Sequence, residues 1–407
     1  MSAFPESTSF SRDVIGRYVC NTMDEALRSM DRSVRPEARP FDIIVIGGGT
    51  FGAVIAQHLF WRDKAHSHRI LVLEGGPVFA PEHVQNLPML GVNAAGATSI
   101  AELRSLGQDG LPRNEVWGLA WHSDVKFPGL AYCVGGRSLF WGGWSPQLLE
   151  TEMRPDRWPA PVSADLNGTY FRQAGEQIGV TETNDFIFGD LHEAMRNKLF
   201  SGFAGVTGAI NLADLPLHLD GVPAGQEDLF KLEAPLAVQT RTRSGFFPIN
   251  KFSAFPLLMK AARAAQVESG GDDVRKRLMV VPYCHVKSLE VATSSGPSKV
   301  SSTGQPLDLS SRTVTSVTTN LGSIPVPPGG IVVVALGTIE STRLALRSFR
   351  GGPHADLIGR NLMAHLRSNL TIRVPREALG ISPATRELQA SALFVKGRHR
   401  HADGTSG

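Results

Sequence analysis

Residues 41–61 read FDIIVIGGGTFGAVIAQHLFW, and residues 69–74 read RILVLE. FDIIVI is a short apolar run rich in β-branched residues, which predicts a buried strand of a parallel sheet. GAVIAQHLFW, after the glycine turn, predicts a helix, and RILVL predicts a second buried strand. Strand, helix and strand in this order form a βαβ unit, whose crossover is almost always right-handed. The segment therefore predicts an α/β fold with a parallel central sheet.

The glycine turn of this unit, GGGTFG at 47–52, fits the pattern GxGxxG. Gly47 allows a tight turn, Gly49 lets the backbone approach a pyrophosphate, and Gly52 lets helix and strand pack closely. The N–H groups and the dipole of the helix start attract phosphate. Glu74 follows Gly52 by 22 residues, where an acid is expected to bind ribose hydroxyls and disfavours the 2′-phosphate of NADP. The turn and its context predict a dinucleotide site.

A second glycine-rich segment, VGGRSLFWGG, spans residues 134–143. Four glycines around a tryptophan, after the apolar Tyr132, favour backbone pressed against a flat ligand. The same composition is also typical of a closely packed turn, and both interpretations stay open for this segment taken by itself.

The order of these motifs resembles the glucose–methanol–choline (GMC) family of FAD-dependent oxidoreductases. The middle of the chain matches that family poorly. Within the family, VGGRSLFWGG is most similar to the pyranose oxidase-like branch. The segments that carry the resemblance are 43–76, 134–143, 281–289, 332–346 and 357–365.

The resemblance implies FAD as the cofactor and oxidation of a CH–OH group of an alcohol or sugar. Hydride would pass to the flavin, and electrons would then pass to oxygen or another acceptor. In the pyranose oxidase-like branch a histidine before the tryptophan can link covalently to the flavin, but this chain has Phe140 there, so we expect non-covalent FAD. The cofactor-binding residues predicted by motif and resemblance are Gly47, Gly49, Thr50, Phe51, Gly52, Glu74, Gly75, Gly135, Gly136, Ser138, Trp141, Gly142, Val286, Ala335 and Gly337.

The resemblance and the composition shifts along the chain divide it into three parts. Residues 1–40 are a lead-in, and residues 41–150 and 270–365 form a three-layer FAD/NAD(P)-binding domain. Residues 151–269 and 366–407 form a partial α+β substrate-binding lobe. Helices are expected at 13–30, 164–177, 191–200, 253–266 and 341–349, and further strands at 278–281, 285–292, 313–319 and 330–335, the last of them buried.

The catalytic residue stays unassigned. Alcohol oxidation needs a base for the hydroxyl proton, and the family carries its catalytic histidine near the C-terminus, in a region that has no match before Gly407. Three interpretations stay open: a fragment of a longer enzyme, which is favoured, a substitute base, or a chain that is no longer catalytic. None of the histidines at 122, 354, 365, 399 and 401 is predicted to be the base.

Composition limits the remaining function classes. A formal charge of +3 over 407 residues gives no reason to expect nucleic acid or an anionic membrane as a partner. The three cysteines form no CxxC pair, so neither a disulfide framework nor a metal site is predicted. The N-terminus lacks an apolar core flanked by basic residues, and no run reaches about 18 apolar residues. We therefore expect a soluble, cytoplasmic protein, whose oligomeric state the sequence does not indicate.

Two rival functions remain. The first is an NAD-dependent Rossmann dehydrogenase, although such an enzyme has no need of the glycine-rich segment at 134–143 or of Gly337 in its segment. The second is a truncated FAD-binding protein without catalytic activity. A visible absorbance spectrum of the purified protein separates the first rival from a flavoprotein.

Overall fold

The computed structural model describes residues 18–79, 83, 130–181, 187, 189–237, 251–294, 299–300, 306–307, 311–350, 355–363, 370–382 and 391–398. The helices in these ranges are α1 (Met23–Arg28), α2 (Thr50–Arg62), α3 (Ala160–Asp165), α4 (Phe171–Ile178), α5 (Asp190–Gly202), α6 (Glu227–Phe230), α7 (Phe255–Ser269) and α8 (Gly337–Ser348). The strands are β1 (Ile43–Ile46), β2 (Ile70–Leu73), β3 (Leu278–Val281), β4 (Val286–Ser294), β5 (Lys299–Val300), β6 (Pro306–Leu307), β7 (Ser311–Thr319), β8 (Ser323–Pro325) and β9 (Ile331–Val334).

A four-stranded parallel sheet forms the centre of the fold, in the order β3-β2-β1-β9. Every residue of β1, β2 and β3 is buried. Strands buried on both faces need apolar side chains throughout rather than in alternation, which is why IIVI, ILVL and LMVV suit these positions. The predicted α/β class with a parallel central sheet is confirmed.

The parallel sheet is one of three layers. Helices α2 and α7 pack against each other, and both contact its strands. Successive side chains of a strand point to opposite faces of the sheet. The side chains on the face away from α2 and α7 pack on an antiparallel sheet of order β4-β7-β8. The core shared by the two sheets contains Ile44, Ile46, Leu71, Leu73, Met279, Val281, Leu289, Val317 and Ile324.

Strand β9 differs from its prediction. GIVVVA indicates a strand buried on both faces, but β9 is an edge strand that pairs only with β1 among the described strands. Ile331 is 56 % exposed and Val334 is 41 % exposed. The predicted burial is therefore wrong, because an edge strand has a neighbour on one side only. The apolar composition of a strand indicates that the strand belongs to a parallel sheet, but it does not determine the strand's position, central or edge, in that sheet.

Several other elements have bounds that differ from the predictions. Helix α8 begins at Gly337, four residues before the predicted start at 341. The helix predicted at 164–177 is divided by a π-helical turn at Leu166–Tyr170. In the lead-in, α1 is short, and Thr22 caps it with a capping box in which Glu25 bonds back to the Thr22 amide.

The chain divides into two compact units, residues 1–140 with 253–364 and residues 141–252 with 365–407. These bounds differ from the expected domains. Residues 253–269 lie in the first unit, because α7 packs against α2 and β3. Residues 141–150, which were expected in the cofactor domain, lie in the second unit. The second unit has a small core of its own, made of Ile210, Leu212, Leu215 and Leu232.

Two features are absent from the described ranges. None of the helices there is both long enough and apolar enough to cross a membrane. The same residues contain no group of three or more His, Cys, Asp or Glu side chains arranged to hold a metal ion.

Candidate functional site

The first unit contains a cavity of about 320 Å³ at the carboxyl ends of β1, β2 and β9. Ligands of open parallel sheets bind at this edge, and the cavity is near the lower end of the size range of ligand pockets. It brings together residues that lie far apart in the sequence. The predicted site residues that line it are Gly47, Gly49, Thr50, Phe51, Glu74, Gly75, Gly136, Val286, Ala335 and Gly337.

The loop that follows β1 turns directly into α2. A side chain at Gly52 would put its Cβ 1.8 Å from the Gly47 carbonyl oxygen, so only glycine allows this close packing of helix and strand. Helix α2 begins after Gly49 without a side-chain cap and has no acidic residue in its first turn. The N–H groups of that turn have no partners within the helix. An uncapped helix start of this kind, in a 13-residue helix, is a site for an anion such as phosphate.

The second glycine segment interlocks with the first. The Gly135 amide donates to the Gly48 carbonyl at 2.8 Å, and the Ser138 amide donates to the Thr50 hydroxyl at 3.0 Å. At Gly136, where φ is +51°, a Cβ would lie 2.8 Å from the Cα of Gly49. The segment is therefore a packed turn, and the packing presses its backbone against the start of α2 at the cavity wall. The packed-turn interpretation is confirmed, and contact of this backbone with a flat ligand stays a prediction.

Some predicted site residues lie elsewhere. Gly52, Gly135 and Ser138 do not line the cavity. The Ser138 hydroxyl donates to the Gly135 carbonyl at 2.6 Å and accepts from the Ala254 amide at 2.9 Å. It therefore stabilises the turn without lining the cavity. Trp141 and Gly142 belong to the second unit. There, the Trp141 indole N–H donates to the Phe252 carbonyl at 2.7 Å.

Glu74 is buried at the end of β2 and lines the cavity. Its Oε2 accepts from the Gly48 amide at 2.7 Å, and its Oε1 accepts from the Gly76 amide at 2.8 Å. Burial raises the pKa of Glu74 above its usual value, and the two amide hydrogen bonds oppose that rise. The carboxylate therefore ties the glycine loop after β1 to the turn after β2.

Beyond Glu74 the cavity has polar residues that the sequence analysis missed. Glu340, in the first turn of α8, lines the cavity with His285 and Tyr132. Arg343 donates from Nε to Glu340 Oε2 at 2.7 Å and from Nη2 to the Val286 carbonyl at 2.8 Å. The Val286 carbonyl thus already has a partner. The spacing of Glu340 and Arg343 could have been found, but the predicted start of α8 at 341 excluded Glu340 from the helix.

The groups nearest to the second glycine segment are poor nucleophiles. Phe140 carries no nucleophilic atom, and its ring stacks on that of Phe79 with centroids 5.8 Å apart. The Cys133 thiol is fully buried, and burial raises its pKa far above the usual value, so it remains protonated. The histidines considered as bases at 122, 354, 365, 399 and 401 lie outside the described residues.

The arrangement fits the ADP half of a dinucleotide cofactor. An uncapped helix start lies at the cavity, glycine backbone leaves room beside it for a diphosphate, and a buried acid stands at the end of the neighbouring strand. At Gly49, a Cβ would have only one contact within 4 Å, the Cα of Gly136 at 3.7 Å. The surface next to the start of α2 is therefore open rather than filled by the protein's own side chains.

Comparisons with known proteins add little to this geometry. No family model matches the chain, and no curated protein matches it. Among solved structures, the chain is similar to a mutant of the formate oxidase of Aspergillus oryzae RIB40, described for the effect of the mutation on FAD modification. The identity is 13 % and the TM-score is 0.35, and the match covers 76 % of this chain and 47 % of that enzyme. This chain spans about half the length of that oxidase, and a likeness at this TM-score carries no argument.

Proposed function

We propose that this chain is the FAD-binding part of a flavin-dependent oxidoreductase. The observation that carries the proposal is the interlocking of two glycine segments at the start of α2, with Glu74 in the same cavity. A nicotinamide-binding domain needs the first segment but not the second. The second segment extends the backbone surface at which a longer, flatter cofactor can lie.

Each part of the cavity has a distinct task in this proposal. The first-turn amides of α2 and the backbone at Gly49 and Gly136 bind the diphosphate. Arg137, which also lines the cavity, adds positive charge to it. Glu74 keeps the first glycine loop in the binding conformation through its bond to Gly48 and faces the adenosine ribose.

For the reaction, we propose oxidation of a CH–OH group of an alcohol or sugar, with oxygen or another acceptor taking the electrons. The support is the order of sequence motifs, which resembles the GMC family and its pyranose oxidase-like branch. The chemistry that FAD supplies when bound is acceptance of a hydride equivalent. The second unit would supply the substrate-binding surface, and the base for the hydroxyl proton is unassigned among the described residues.

We also propose that the FAD is held without a covalent bond. Phe140 stands where a covalently linked relative has a histidine, and the nearby Cys133 thiol is buried and protonated. Retention then depends on backbone hydrogen bonds and burial alone. The cofactor should therefore leave the protein whenever the fold is lost.

The test is the flavin content of the purified protein. A flavin absorbance spectrum, and FAD identified after acid precipitation in the supernatant, are the expected results. A protein that binds NADH and takes up no FAD would favour the nicotinamide-dependent alternative. Flavin that stays in the acid-precipitated pellet would show a covalent link and contradict the proposed mode of binding.

A further inference from the structure

The cavity contains a second buried carboxylate that no cofactor motif assigns. Glu340 is 6 % exposed, and it lines the cavity from the first turn of α8. Both of its basic neighbours contact the same oxygen, Oε2: Arg343 Nε lies at 2.7 Å and His285 Nε2 at 3.5 Å. In the part of the chain that the structure describes, the other oxygen, Oε1, accepts no hydrogen bond.

Glu340 is a charged acceptor in spite of its burial. Burial by itself raises the pKa of a carboxyl group, but the interactions with His285 and Arg343 outweigh it, and the pKa of Glu340 lies below the usual value. Glu340 is therefore ionised at neutral pH. A carboxylate oxygen to which the fold supplies no donor stays available to a ligand that offers one.

The other acid of the cavity has less capacity for a ligand. In Glu74, each carboxylate oxygen already accepts a backbone amide, from Gly48 and from Gly76. These bonds give Glu74 a task within the protein fold. Glu340 uses one oxygen for the fold and leaves the other for the cavity.

A second polar group at this end of the cavity points the same way. The hydroxyl of Tyr132 is buried close to the Glu340 carboxylate, and it makes no well-formed hydrogen bond to any described residue. Burial, followed by the nearby charge of Glu340, raises the pKa of Tyr132, so the hydroxyl is protonated and able to donate. An unsatisfied hydroxyl beside a half-satisfied carboxylate fits a ligand that carries both a donor and an acceptor.

We propose that Glu340 accepts a hydrogen bond from the nucleoside of the bound cofactor through its Oε1, and that it is a specificity-determining residue of this cavity. The proposal rests on the dinucleotide site of the proposed function. A ribose hydroxyl and the exocyclic amino group of adenine are the two donors that a nucleoside of this type offers. Arg343 is a positioning residue, because it orients the carboxylate and joins α8 to the backbone at Val286.

The experiment is calorimetric titration of the apoprotein with ADP, inosine 5′-diphosphate, and 2′- and 3′-deoxy-ADP. Each analogue lacks one possible hydrogen-bond donor to Glu340: the adenine amino group, the 2′-hydroxyl or the 3′-hydroxyl. The wild-type chain is expected to bind ADP at least tenfold more tightly than the one analogue that lacks the donor that Glu340 binds. Glu340→Gln is expected to weaken ADP binding at least tenfold and to leave the affinity for that analogue unchanged. Glu290→Gln, an exposed carboxylate on β4 of the same unit, is the matched control and should bind ADP like the wild type.

Two results with the Glu340→Gln variant would overturn the inference while leaving the proposed function intact. One is a Glu340→Gln protein with wild-type affinity for ADP. The other is an equal loss for ADP and for all three analogues, which would show that Glu340 acts only through the fold. If the variant does not fold, the analogue series on the wild-type chain decides, because equal affinity for all four ligands also overturns it. A wild-type chain that binds neither FAD nor ADP would instead refute the proposed function.

Discussion

The substitution Gly49→Ala separates cofactor binding from folding. Gly49 has φ −70° and ψ −162°, a conformation without positive φ, so alanine introduces no left-handed strain. Its Cβ would lie 3.7 Å from the Cα of Gly136, an ordinary van der Waals distance, with no other contact within 4 Å. A glycine-to-alanine change at a compatible position alters stability by only about 0.4–1 kcal/mol, usually upward. The variant should therefore fold as well as the wild type.

Cofactor binding should respond differently, because in the proposed site the new methyl group would stand where the diphosphate meets the start of α2. Hydrogen bonds to charged groups contribute about 1.5–3 kcal/mol each. Loss of one such bond weakens binding at least tenfold, since 1.4 kcal/mol corresponds to a factor of about ten. Titration of the apoprotein with FAD, followed by flavin fluorescence, measures this change, and chemical denaturation measures the unchanged stability.

Two further glycine-to-alanine substitutions in the same chain serve as controls for Gly49→Ala. At Gly52, a Cβ would lie 1.8 Å from the Gly47 carbonyl oxygen, so Gly52→Ala should destabilise the fold by about 1–3 kcal/mol or more. At Gly142, no atom lies within 4 Å of the added Cβ, and Gly142→Ala should match the wild type in stability. A Gly49→Ala protein that is stable and binds FAD with wild-type affinity would refute the diphosphate site.

Further predictions concern two acid–base groups. Glu74→Gln should weaken FAD binding about tenfold. The glutamine side chain replaces one of the two carboxylate acceptors with an NH₂ donor, which would face the backbone amide of Gly48 or Gly76. Unchanged affinity on titration with FAD would place Glu74 away from the cofactor. In the second unit, burial lowers the pKa of His218 from 6.5 to about 4. A lowered pKa means that the neutral form stabilises the fold above pH 6.5 and that this stability, about 3 kcal/mol, is lost as pH falls towards 4. Chemical denaturation across that pH range should show a smaller loss of stability for His218→Gln than for the wild type or for the exposed control His58→Gln. An equal dependence of stability on pH in all three proteins would contradict the lowered pKa of His218.

Local patterns in the sequence were sufficient for the first βαβ unit. The ends of β1 and β2 follow from their apolar runs, although both strands begin later than the predicted 41 and 69. Gly47 turns at a φ of +99°, a local reason for glycine. Even the close packing at Gly52 was predictable, since its partner, the Gly47 carbonyl, is only five positions away. The acid at the end of β2 was found by the same kind of spacing.

Contacts between distant segments were decided by the tertiary structure alone. The bond from Gly135 to Gly48 joins positions 87 residues apart, and it turned an ambiguous glycine run into part of the cavity wall. The edge position of β9 depends on which strands flank it, and the apolar sequence of a strand does not indicate whether it lies at the centre or at the edge of a sheet. Glu340 reaches the cavity because α8 begins one turn earlier than its apolar pattern indicates. Periodicity reports which face of an element is buried, whereas the partner that covers it is selected by packing across the whole chain.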